Sequence, residues 1–76
     1  MKLPIVNGQK LIKILSLKGF KPVRQRSSHV QLKNDKGILV TIPVHSGKDV
    51  SIGVLNKILR DAEISREEYI ELVKKV

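Results

Sequence analysis

The sequence predicts an α+β fold in the order α-β-β-β-α-α, a three-stranded antiparallel sheet with helices packed on one face. Three observations carry this expectation. An amphipathic stripe of helical spacing opens the chain, two runs in its middle alternate apolar and polar residues, and two more helical stripes close it. The 76 residues suffice for one domain, 1–76, whose core is small.

The first helix is expected over about residues 8–18. Asn7 suits the N-cap, since its side-chain oxygen accepts a backbone N–H of the first turn. Leu11, Ile14, Leu15 and Lys18 recur at helical spacing, the lysine stem extending the apolar stripe. Gly19 supplies the left-handed residue that ends helices. Residues 20–26 form the first expected strand, which Pro22 limits to an edge or a bend. Phe20 and Val23 have opposite parity, so a regular strand cannot bury both. Residues 28–33 form the second, with Val30 and Leu32 on one face and His29, Gln31 and Lys33 on the other. Asn34-Asp35-Lys36-Gly37 reads as a hairpin turn. Residues 38–44 form the third strand, with Ile38, Val40, Ile42 and Val44 facing the helices. Leu39, Thr41, Pro43 and His45 take the opposite parity. Ser51 caps a helix reaching about Ala62, with Leu55, Ile58, Leu59 and Ala62 inward. Ser65-Arg66-Glu67-Glu68 has capping-box form. Tyr69, Leu72, Val73 and Val76 then give the stripe of the last helix.

Charge is distributed unevenly. The chain carries fifteen Lys and Arg against seven Asp and Glu, a net charge of +8. Residues 1–36 hold nine of the basic side chains and one acid, Asp35, while residues 37–76 hold six of each sign. Such a one-sided excess is the footprint of a surface that binds polyanions; a merely solubilising surface is the bland alternative. There is no cysteine, which fits a reducing compartment. No apolar run approaches a membrane span, no helix pairs a basic face with a bulky aromatic one, and the N-terminus does not read as a signal peptide. A cytoplasmic protein without membrane contact is expected.

Few constellations for chemistry exist. His29 and His45 lie sixteen residues apart with no cysteine and no acidic cluster nearby, so no metal site is expected. A Ser28-His29-Asp49 triad fails because neighbouring strand residues point to opposite faces. No glycine-rich phosphate loop occurs, and no small-molecule cofactor is expected. One histidine in a basic surround remains, in RQRSSHVQL. That suffices for cleaving RNA, which brings its own nucleophile, the ribose 2′-hydroxyl. A neutral imidazole takes its proton, and nearby cations stabilise the charge that grows on phosphorus. On residue type alone, a solvated histidine also accounts for the pattern. With Phe20 and Tyr69 the sole aromatics, base stacking of the single-strand-binder kind is largely absent, and Tyr69 reads as core or interface.

Three segments resemble the HicA family of small toxin ribonucleases, the messenger-RNA interferases of HicAB toxin–antitoxin pairs. NGQKLIKILSLKGF is similar to the family's opening helix ending in Gly-Phe, and VRQRSSHVQL to its V-R-Q-x-G-S-H motif. TIPVHSGKDVSIGVLNKILRDAEIS resembles the stretch V-P-x-H, lysine, G-T-L, I-L and A-G-I-S. The resemblance implies an α-β-β-β-α fold like that of a double-stranded RNA-binding domain. It also implies metal- and translation-independent cleavage of messenger RNA, His29 as catalytic acid or base, and a HicB-like antitoxin as partner. RNA contacts are then expected from Arg24, Gln25, Arg26, Ser28, Lys33, His45 and Lys48, with His45 a further possibility for proton transfer. The chain departs from the family at Ser27, at Val54 and at Glu63, which stand where the family has Gly, Thr and Gly. Should the turn at Ser27 need positive φ, serine there costs on the order of 1 kcal/mol. Two readings of other classes compete: a non-catalytic RNA-binding module, and a protein-interaction subunit whose basic face exists to meet an antitoxin.

Overall fold

A computed structural model describes residues 3–45 and 47–76. The order is α1 (Gly8–Ser16), β1 (Lys21–Arg26), β2 (His29–Lys33), β3 (Leu39–Pro43), α2 (Ile52–Asp61) and α3 (Arg66–Val73). The strands form an antiparallel meander, β1-β2-β3, so the α+β expectation holds. Val30, Leu32, Val40 and Ile42 are buried on one face, where α1 and α2 pack on β3 and α3 packs on α1. Among the described residues no helix is long and apolar enough to cross a membrane.

All three helices begin as their caps dictate. Asn7 Oδ1 accepts from Lys10 N at 2.8 Å, Ser51 Oγ from Val54 N at 3.3 Å and Ser65 Oγ from Glu68 N at 3.1 Å. The ends of α1 and α2 share one geometry. Phe20 N–H donates to Leu15 O and Gly19 N–H to Ser16 O; Ile64 N–H donates to Leu59 O and Glu63 N–H to Arg60 O. These are Schellman closures, and each tucks a buried apolar residue, Phe20 or Ile64, back under its helix. The left-handed residue is Gly19 at φ 86° in the first and Glu63 at φ 60° in the second. Helix α1 thus stops short of Lys18, whose ammonium pairs with Glu68 instead of covering the core. The stripe of α3 likewise stops at Val73, and Val76 is exposed. In the β2–β3 turn, Asn34 Oδ1 accepts from Lys36 N and Ile38 N, and Gly37 sits at φ 83°.

Part of the core has no periodic signal. Leu3, Val6 and Val50 are buried, and Val50 N–H donates to Val6 O at 2.9 Å, tying the entrances of α1 and α2 together. Tyr69, fully buried, donates its hydroxyl to Pro4 O at 2.6 Å, and burial pushes its phenol pKa up. Gly8 lies against the end of β3, where an added Cβ would stand 2.1 Å from Pro43 O.

Tyr69→Phe leaves the Pro4 carbonyl without its donor and should cost about 1 kcal/mol in urea unfolding. Gly8→Ala forces backbone apart and should cost about 1–3 kcal/mol by the same measurement.

Candidate functional site

The open face of the sheet is set by a bulge. Pairing of β1 with β2 runs Lys21↔Lys33 and Pro22↔Leu32, then Arg24↔Gln31, Gln25↔Val30 and Arg26↔His29. Val23 is the extra residue. Pro22, which has no N–H to give to a ladder, sits beside it. Directly paired residues of antiparallel strands project from one face. With β3 included, that face shows three rows: Arg26, His29, Pro43; Arg24, Gln31, Thr41; and Lys21, Lys33, Leu39. Of Phe20 and Val23, which have opposed parity, Phe20 is buried and Val23 is 55% exposed.

Arg24, Arg26, Ser27, His29, Gln31 and Thr41 line an open depression of about 320 Å³. His29 is exposed within it. Among the described residues no carboxylate pairs with Arg24, Arg26, Lys33 or Lys48, so their charge faces solvent uncompensated. Lys21 and Lys33 stand directly opposite each other, a like-charge pair that destabilises the sheet unless an anion lies over it. Among the described residues no three His, Cys, Asp or Glu cluster closely enough to hold a metal.

The residues singled out in the sequence separate into groups. Arg24, Arg26 and His29 come together. Lys33 shares their face, two rows away. Gln25 pairs with Val30 and belongs to the opposite face, and Ser28 is half-buried in the turn, its carbonyl accepting from Val44 N–H at 2.6 Å. His45 and Lys48 line a second depression with Asp49 and Ser51, beside Pro43. The ring of His45 meets that of His29 edge-on, with centroids 6.5 Å apart and planes at 75°. Lys21, Ser27 and Thr41 were not singled out. Strand parity already pointed to Thr41, whereas Lys21 emerges only from the pairing register.

Ser27 and Ser28 form the two-residue loop between Arg26 and His29. Ser27 has φ 52°, the left-handed region that such hairpins give to glycine at their first central position. Ser27→Gly should therefore raise stability by about 0.5–1 kcal/mol, seen as a higher thermal midpoint.

A sequence model of the family described as "HicA toxin of bacterial toxin-antitoxin" matches residues 8–64 of the 76. No curated protein matches the chain.

Proposed function

The chain belongs to the HicA toxin family, and from that premise we propose that it is the toxin of a type II pair, a metal- and translation-independent endoribonuclease that cleaves messenger RNA through His29. The observation that supports this most is His29 standing exposed in one row with Arg26 and one row from Arg24, both cations without a carboxylate partner among the described residues.

The reaction needs little else. Neutral His29 takes the proton of a ribose 2′-hydroxyl, and the oxygen attacks the adjacent phosphorus. Arg24 and Arg26 stabilise the negative charge that grows on the phosphoryl oxygens. The products are a 2′,3′-cyclic phosphate and a 5′-hydroxyl end. Lys21 and Lys33 hold a flanking phosphate farther along the strand, where their mutual repulsion turns to use. Membership in a toxin–antitoxin family implies an antitoxin partner. A HicB-like protein with an acidic docking surface complements the arginine rows and would cover His29.

Purified protein, single-stranded RNA and excess chelator test the proposal without ribosomes. Wild type should leave fragments ending in cyclic phosphate, and His29→Ala of verified fold should cut at least about 100-fold more slowly. If both proteins bind RNA and neither cuts it, the basic face is a binding module only.

A further inference from the structure

We propose that His45 is the general acid of the same reaction, giving a proton to the leaving 5′-oxygen while His29 acts as base; this rests on the ribonuclease reading above.

Geometry supports the pairing. His29 faces Pro43, the last residue of β3, and His45 follows two residues later with the same parity. A backbone hydrogen bond holds the chain on each side of His45. Val44 N–H donates to Ser28 O at 2.6 Å before His45, and Lys48 N–H donates to His45 O at 3.1 Å after it. The two imidazoles therefore stand 6.5 Å apart, edge-on, and both are exposed. At that spacing they do not hydrogen-bond each other. A phosphodiester fits between them, its 2′-hydroxyl donating to one imidazole and its 5′-oxygen accepting from the other over about 2.8 Å on each side. Each ring also lines its own depression, one with Arg24 and Arg26, the other with Lys48, Asp49 and Ser51.

The chemistry balances with these two groups alone. The 2′-oxygen loses its proton to neutral His29 as the new O–P bond forms. The P–O5′ bond breaks as protonated His45 transfers its proton to that oxygen. One imidazole ends protonated and the other neutral, and exchange with water restores both. A lone histidine has to deliver the proton it has just accepted to an oxygen on the far side of phosphorus, and a second imidazole removes that difficulty.

The test uses a substrate that needs no general acid. A short oligonucleotide built on a mapped cleavage site is made twice, once with normal linkages and once with sulfur replacing the bridging 5′-oxygen, since a thiolate leaves without protonation. His45→Ala should cut the normal substrate about 100-fold more slowly than wild type and the sulfur-bridged one at the wild-type rate. His29→Ala should be slow on both. His45→Asn serves as a second variant and should repeat the pattern. Equal slowing of His45→Ala on both substrates, or no slowing on either, overturns the role of His45 and leaves the ribonuclease standing. A wild type inactive on both substrates overturns both readings.

Discussion

One inserted residue decides which side chains share a face with His29. A regular continuation of the pairing from Pro22↔Leu32 would set Arg24 against Val30 and Gln25 against His29. The arginines would then point to the helix side of the sheet. The bulge at Val23 shifts the count by one, and Arg24 and Arg26 arrive on the open face instead. Because strand parity has a period of two, a single extra residue reverses every side chain after it. The depression around His29 depends on that reversal, and so does the presence of Arg24 and Arg26 on the same face as Lys21 and Lys33.

The helix side supplies the rigidity that the open face lacks. Gly8 begins α1 directly beneath Pro43, so the first turn of the helix buttresses the end of β3. Pro43 is the residue opposite His29 and two before His45, so the segment that carries His45 and pairs with His29 is held from below. Val6, Val50 and Tyr69 secure the neighbouring loops, with the Tyr69 hydroxyl reaching Pro4. Two left-handed residues without glycine, Ser27 and Glu63, are tolerated in this frame. The second is held in place by a complete Schellman closure and the burial of Ile64.

Much of this was legible before any coordinates. Alternation in β2 and β3, three N-caps, the Asn34 turn and the Gly19 stop are local signals, and local signals read well. The parity of His29 and its placement on the uncovered face followed directly. What could not be read depends on pairing between segments. Gln25 was grouped with its arginine neighbours by sequence, and only the register separates them. The nearness of His29 and His45 requires knowing that Pro43 pairs with His29. Leu3, Val6 and Val50 lack any periodic neighbours, so their burial leaves no mark in the pattern. Val76 matched the stripe of α3, yet the helix ends three residues earlier, at Val73.

All six residues of β1 are exposed, because α1 and α2 pack on β3, at the other edge of the sheet. The strand is attached through its ladder to β2 and contributes almost nothing to the core. Its side chains are thus released from the demands of packing, and substitutions there alter what the surface recognises with little effect on whether the chain folds. Recognition and folding are written in separate segments of the sequence.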